Sequence, residues 1–295
     1  MSSADTKPKS AKPADYKSDL KPIWCPGCGD FGVLASLYRA FAELDLDPAK
    51  TVVVSGIGCS SRLPGFVSTY GFHSLHGRPL PVAMGVKLAN PDLNVIAVGG
   101  DGDGFAIGAG HFPHAARRND DITYLVMDNE IYGLTKGQVS PTSLTDQKAP
   151  STPWGNLETP LNTLAFAVAS GATFVARGAS FNTKALTELI VQAMEHKGFS
   201  YIDAMSPCVM FNNHQEEWKE LVTDVDPDHD VTSKTAAFDL ALRGGFKLGI
   251  LYREQRATIN EKYKALVDAA KESNADAMLE AFSARKGAAI GKPVL

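Results

Sequence analysis

"LNVIAVGGDGDGFAIGAGHFPHAARRNDDITYLVMDN", residues 93–129, is the stretch on which the fold turns. It opens and closes on apolar runs, "LNVIAV" and "DITYLVM", that do not alternate with polar residues. A strand of that kind is buried on both faces, as in a parallel sheet. Between them lie a glycine-rich acidic turn, "GGDGDG", and a segment, 105–119, that reads as a helix. Gly108, Gly110 and Pro113 make that helix irregular. Asp101 then sits just past the end of one strand and Asn129 at the end of the next. Ligands of α/β sheets bind at those carboxyl ends.

The same alternation extends outward. "FGVLASLYRAFAEL", 31–44, spaces its apolar residues as a helix, and "TVVVSGIG", 51–58, is a buried strand running into glycines. A helix is predicted over 78–90, a long loop over 130–160, and helix, strand, helix, strand over 161–205. The expected fold class is therefore α/β, a parallel sheet with helices on both faces. Residues 1–20, rich in Lys, Pro and Ser, read as a flexible N-terminal arm. Residues 21–228 form the ligand-binding domain, and 229–295 a mostly helical C-terminal extension.

Composition narrows the function classes. The chain has 295 residues, 44% hydrophobic and 21% charged, with a formal net charge of -4. That is ordinary globular composition, with no basic footprint for nucleic acid. No apolar run approaches the roughly 20 residues needed to span a bilayer. The first residues lack the apolar segment of a secretory signal, so a cytoplasmic, reducing setting is expected.

The acidic turn carries chemistry. Its glycines let backbone amides approach a ligand, and the following helix offers its positive end, which together suit a phosphate. Asp101 would repel a phosphate unless a cation stood between them. Mg²⁺ resolves the conflict, because it takes carboxylate, amide, carbonyl and phosphate oxygens together. Asn129 and the carbonyl of Ile131 are the further candidate ligands. The dinucleotide pattern G-x-G-x-x-G is not met here.

Four cysteines complete the inventory. Cys25 and Cys28 lie in "WCPGCG", Cys59 in "GIGCSSRLPGF" and Cys208 in "SPC", all in glycine- or proline-bounded turns. Four thiolates hold either zinc or an iron–sulfur cluster. One close pair followed by two scattered single cysteines is less typical of zinc. Unrelated thiols are the third possibility.

Taken in order, "WCPGCG", "GIGCSSRLPGF", "LHGRPLPVAMGVKLANP", "GGDGDG", "DNEIYGLTKGQVSPT" and "SPC" resemble the β subunit of 2-oxoacid:ferredoxin oxidoreductases, over about residues 20–215. Within that family the likeness is greatest to the 2-oxoglutarate enzyme. The resemblance implies a thiamine diphosphate-binding fold and a 4Fe–4S cluster on Cys25, Cys28, Cys59 and Cys208. It implies Mg²⁺ on Asp101, Asn129 and the Ile131 carbonyl. It places Ile57, Gly58, Cys59, Ser60, His76, Gly100, Asp101, Gly102, Asp103, Leu134 and Thr135 against thiamine diphosphate. It also implies a partner α subunit (or a fused γ-α subunit) in an (αβ)₂ assembly, coenzyme A as co-substrate and ferredoxin as electron acceptor. The expected reaction is oxidative decarboxylation of 2-oxoglutarate to succinyl-CoA, or its reverse.

Some expectations are finer. The distal carboxylate of 2-oxoglutarate needs a cation, and Lys136 and Arg62 lie in loops near the inferred centre. His76 is favoured over His73, His111 and His114 as a cofactor contact. Met205 and Met210 flank Cys208 as an apolar lining. Between 55 and 140 no glutamate stands in a motif that would activate the aminopyrimidine ring; in the family that residue belongs to the other subunit. The chain alone is therefore expected to turn over no substrate. The alternatives are a pyruvate or branched-chain 2-oxoacid enzyme, a zinc-stapled thiamine diphosphate lyase without redox function, and a non-catalytic four-cysteine module.

Overall fold

The computed structural model describes residues 11–272. The first half of the chain alternates α1 (Asp30–Glu43), β1 (Thr51–Ser55), β2 (Tyr70–His73), α2 (Pro79–Ala89), β3 (Asn94–Gly100), α3 (Phe112–Arg118) and β4 (Ile122–Asp128). The second half adds α4 (Thr163–Ser170), β5 (Phe174–Ala179), α5 (Thr183–Glu195), β6 (Phe199–Met205), α6 (Gln215–Leu221), β7 (Val222–Asp224), α7 (Lys234–Leu242), β8 (Phe246–Arg253) and α8 (Ile259–Glu272). The strands form one sheet in the order β2-β1-β3-β4-β6-β5-β8-β7. Every pair is parallel except β5 with β8.

The apolar runs of β1, β3, β4 and β6 are continuous because both sheet faces are covered. Val53, Ile96, Leu125 and Ile202 point to one side, against Leu37 and Phe41 of α1 and Leu186 and Ile190 of α5. Val54, Val95, Tyr124 and Tyr201 point to the other, against Ala83 of α2, Phe112 of α3 and Val168 of α4. Two faces alternating along each strand follow from the period of two. Beyond β3 the backbone makes a π turn, Asp103–Ile107, and a 3₁₀ turn, Ala109–His111, before α3 begins. The irregularity expected of 105–119 thus takes the form of a widened first turn.

Three segments differ from expectation. Of the expected arm 1–20, residues 1–10 lie outside the described residues, and residues 11–20 are docked and not a free arm. Tyr16 is buried, its ring packs edge-on against Phe41 at 5.5 Å, and its hydroxyl donates to the Leu46 carbonyl at 2.7 Å. Burying one aromatic ring offsets the ordering of the few residues around it. The C-terminal extension does contain two helices, α7 and α8, but it also returns β8 to the sheet, antiparallel to β5. Phe246, Leu248, Ile250 and Tyr252 alternate with period two, which is the strand signal in that segment. The edge strand β2 is exposed at all four residues, so no burial pattern marks it. Residues 273–295 of the expected extension lie outside the described residues. No helix among the described residues is long and apolar enough to cross a membrane.

Candidate cofactor and cysteine site

The strand order reverses at β1, with β2 on one side and β3 on the other. In open α/β sheets a ligand crevice forms at such a switch point. Here the loops leaving β1 and β3 line a cavity of about 530 Å³, a size suited to a cofactor. Its wall includes Ile57–Ser60, His76, Gly100–Asp103, Asn129, Ile131, Leu134 and Thr135, all singled out from sequence. Tyr132, Gly133 and Gln138, from the same "DNEIYGLTKGQVSPT" segment but not singled out individually from sequence, join them.

A second cavity of about 240 Å³ adjoins the first. All four cysteines line it, with Arg62, Lys136, Val209, Met210 and Phe211. Cys59, Asn129, Gly133 and Leu134 belong to both cavities. A β-carbon built on Gly133 would lie 3.6 Å from the sulfur of Cys59 and 3.6 Å from that of Cys208. Gly133 is thus a thin partition at which both thiols meet the cofactor wall. Gly58, between Ile57 and Cys59, has φ +136, a backbone conformation that favours glycine.

Tertiary contacts hold the cysteine turns together. The indole of Trp24 donates to the Cys59 carbonyl at 2.7 Å and packs edge-on against Phe31 and Phe66. The Gly29 amide donates to the Pro207 carbonyl at 3.1 Å, joining the Cys28 turn to the Cys208 turn. Burial, reinforced by the neighbouring Asp30 and Cys208, pushes the Cys59 thiol up to about 11, and burial raises Cys28 as well. Arg62 works against the rise at Cys59 and is outweighed. Among the described residues no three His, Cys, Asp or Glu side chains converge on a point as one metal ion would require. All four cysteines nevertheless line the one cavity.

The acidic turn is underpinned by hydroxyls from the end of the "DNEIYGLTKGQVSPT" segment and from Ser143 beside it, none of them singled out individually from the sequence. Thr142 reaches in from the long 130–160 loop; its hydroxyl lies 2.7 Å from Asp101 Oδ2 and 3.0 Å from Asp128 Oδ1. Ser143 donates to the Glu130 carbonyl at 2.5 Å, and Ser140 lies within 3.3 Å of both hydroxyls. One threonine proton cannot serve two carboxylates at once. Burial, and then the charge of Asp101, push Asp128 well above the usual carboxylate range and Glu130 up to about 7. This crowding of buried acids is the electrostatic demand that a divalent cation would meet. Asn129 Oδ1 accepts the Ile131 amide at 3.1 Å, which orients both residues around the turn.

Lys136 and Arg62 do not line the cofactor cavity; both face the cysteine cavity. Glu130 lies beneath the turn, buried, and the acids that line the cofactor cavity are Asp101 and Asp103.

Residues 56–204 match the family described as thiamine pyrophosphate enzyme, C-terminal TPP binding domain. Residues 208–268 match a second family, described as the C-terminal part of the pyruvate ferredoxin oxidoreductase beta subunit. Subunit beta of 2-oxoacid:ferredoxin oxidoreductase 1 from Aeropyrum pernix is 46% identical over 256 residues, covering 81% of this chain and 80% of its own length. The chain belongs to the 2-oxoacid:ferredoxin oxidoreductase β-subunit family. Such a subunit is part of a multisubunit oxidoreductase. The family also includes a 2-oxoglutarate synthase subunit KorB from Archaeoglobus fulgidus, 44% identical over 200 residues, or 67% of this chain and 74% of that one. A 2-oxoglutarate:ferredoxin oxidoreductase from Magnetococcus marinus, solved with 2-oxoglutarate, coenzyme A and succinyl-CoA bound, superposes with a TM-score of 0.88. Its identity is 45%, over 93% of this chain and 96% of that one.

Proposed function

We propose that the chain binds Mg²⁺–thiamine diphosphate and a 4Fe–4S cluster in an enzyme that converts 2-oxoglutarate and coenzyme A to succinyl-CoA and passes electrons to ferredoxin, in either direction. The observation that carries this reading is the shared wall between the two cavities, built from Cys59, Asn129, Gly133 and Leu134. A decarboxylating site and an electron acceptor held this close need no moving carrier between them. The solved relative bound to 2-oxoglutarate, and relatives named for 2-oxoglutarate, favour that substrate.

The residues present fit both groups. Asp101, Asn129 and the Ile131 carbonyl would hold Mg²⁺, with Thr142 fixing the orientation of Asp101. Cys25, Cys28, Cys59 and Cys208 would hold the cluster: all four line one cavity, and four thiolates are the donor set of such a group. When bound, thiamine diphosphate supplies the carbanion chemistry of decarboxylation. The chain's own part is to orient and enclose. Gly100–Asp103 bring backbone amides and the Asp101 carboxylate to the diphosphate end, and Ile57–Ser60 form the wall toward the cysteines. As the family resemblance implies, the carboxylate that activates the pyrimidine would come from the partner α subunit.

The test is anaerobic co-purification with the partner subunit, iron and sulfide assay, and a viologen-reduction panel of 2-oxoglutarate, pyruvate and branched-chain 2-oxo acids. The expected result is a brown complex that needs coenzyme A and prefers 2-oxoglutarate, with no turnover by the chain alone. Colourless, zinc-containing material would support the lyase reading. Because residues 208–268 match a family named for pyruvate, preference for pyruvate is the second reading.

A further inference from the structure

The sequence places Asp103 against the cofactor directly, yet its carboxylate is committed elsewhere. Oδ1 accepts three donors: His76 Nδ1 at 2.7 Å, the Gly77 amide at 2.7 Å and the Ile57 amide at 3.0 Å. Oδ2 is buried with no hydrogen-bond partner. The side chain is 1% exposed, whereas that of His76 is 41% exposed and lines the cofactor cavity.

We propose that Asp103 is a positioning residue that acts through His76: its carboxylate takes Nδ1–H, so that the protonated ring presents Nε2–H to an anionic oxygen of the cavity's occupant. The inference rests on the cofactor reading above. Its physical basis is the two-ended imidazole: a ring whose Nδ1–H is held by a carboxylate has its orientation set, and in its protonated form the other end, Nε2–H, is left to donate to the ligand. Nearby groups restrict the ring further. Tyr132 meets it edge-on with centroids 6.2 Å apart, and the Tyr132 hydroxyl is itself fixed on the Gly102 carbonyl at 3.0 Å. Through the Ile57 amide the same carboxylate oxygen ties His76 to the turn that carries Cys59. The occupant oxygen is either a diphosphate oxygen of the cofactor or an oxygen of the 2-oxo acid, and the chemistry of recognition is the same for both.

Side-chain amides dissect the two nitrogens, because Asn places its amide near Nδ1 and Gln near Nε2. D103N is informative for a different reason: its Oδ1 still accepts the Ile57 and Gly77 amides, so the loops stay closed while the carboxylate's hold on Nδ1–H is weakened. The experiment uses the complex with its partner subunit. It measures thiamine diphosphate affinity in Mg²⁺ by calorimetry, and KM and kcat for 2-oxoglutarate, in D103N, H76Q, H76N, H76F and the double variant D103N/H76F.

If the oxygen belongs to the cofactor, H76Q should bind thiamine diphosphate at least tenfold tighter than H76N. If it belongs to the 2-oxo acid, the same order should appear in KM for 2-oxoglutarate while cofactor affinity stays level. In both cases D103N should weaken the affected quantity about tenfold in the natural background and leave it unchanged in the H76F background. An equal D103N effect in both backgrounds, or H76N performing as well as H76Q, overturns the proposal. Wild-type complex that binds no thiamine diphosphate would instead overturn the cofactor reading itself.

Discussion

The hydroxyl of Thr142 lies 2.7 Å from Asp101, across 41 positions of sequence, and it ties the long loop after β4 to the turn after β3. Replacing Thr142 with Val keeps the shape and removes the donor. A buried carboxylate left without its partner costs roughly 1–3 kcal/mol, so Mg²⁺–thiamine diphosphate affinity of the complex should fall about tenfold or more. Thr142→Ser should restore most of it. Calorimetry on the two variants checks this; equal binding by Val and wild type would show that the hydroxyl is dispensable.

Gly133 supplies the second prediction. A β-carbon there already sits 3.6 Å from two sulfurs, and valine adds two methyl groups. Gly133→Val should lower iron and sulfide content sharply in anaerobically prepared complex, and Gly133→Ala should lower it less. Full iron occupancy in the valine variant would place the cluster away from this partition.

Lys136 is the third. Leu134 and Thr135 line the cofactor cavity, yet Lys136, in a left-handed backbone conformation at φ 79, turns to the cysteine side. If its ammonium still reaches the distal carboxylate of 2-oxoglutarate across the shared wall, Lys136→Ala should raise KM for that substrate about tenfold and barely change KM for pyruvate. Equal effects on both would assign the lysine to the cysteine cavity alone. Arg62→Ala, tested beside it, reports whether the second cation shares the task.

His196 gives a pH dependence remote from the cofactor. It is buried, and Thr173, whose hydroxyl donates to Asn119 at 2.7 Å, must accept the His196 Nε2–H at 2.9 Å. That leaves Nδ1 bare and without a partner, so protonation puts a buried donor where nothing accepts it. Burial, then Arg253, lower the pKa from 6.5 to about 4. A histidine depressed in the fold binds fewer protons folded than unfolded between those values. Its stabilising contribution is therefore complete above about pH 6.5 and is lost as pH falls toward 4, amounting to about 3 kcal/mol at most over the window. His196→Gln should flatten the loss of Tm between pH 7 and pH 5. An unchanged slope would mean that other groups govern acid unfolding.

Much of this architecture is legible residue by residue. The uninterrupted apolar runs of β1, β3, β4 and β6 announce strands covered on both faces, and "GGDGDG" with "DN" marks the two strand ends where a cation and a phosphate could meet. The four cysteines stand out by lying in turns. Less legible are the strands without a strong burial pattern. β2 is exposed throughout, and β8 carries its alternation inside a segment otherwise rich in helical signals. The docking of Tyr16 is hidden in a polar, proline-rich context.

What the sequence by itself determined was local: which segments are the doubly covered strands, which turns are glycine-lined, and which side chains have the chemistry to hold a cation, a phosphate or a thiolate-bound metal group. Only the tertiary structure decided how these are shared out. It joined the cysteine cavity to the cofactor cavity through Gly133, brought Ser140, Thr142 and Ser143 beneath the acidic turn, placed Lys136 and Arg62 on the cysteine side, and bound the Asp103 carboxylate to His76. The reason is that periodicity and turn chemistry act over a few residues. A hydrogen bond between side chains 41 positions apart depends on strand order and on the path of a loop, and no local pattern encodes either.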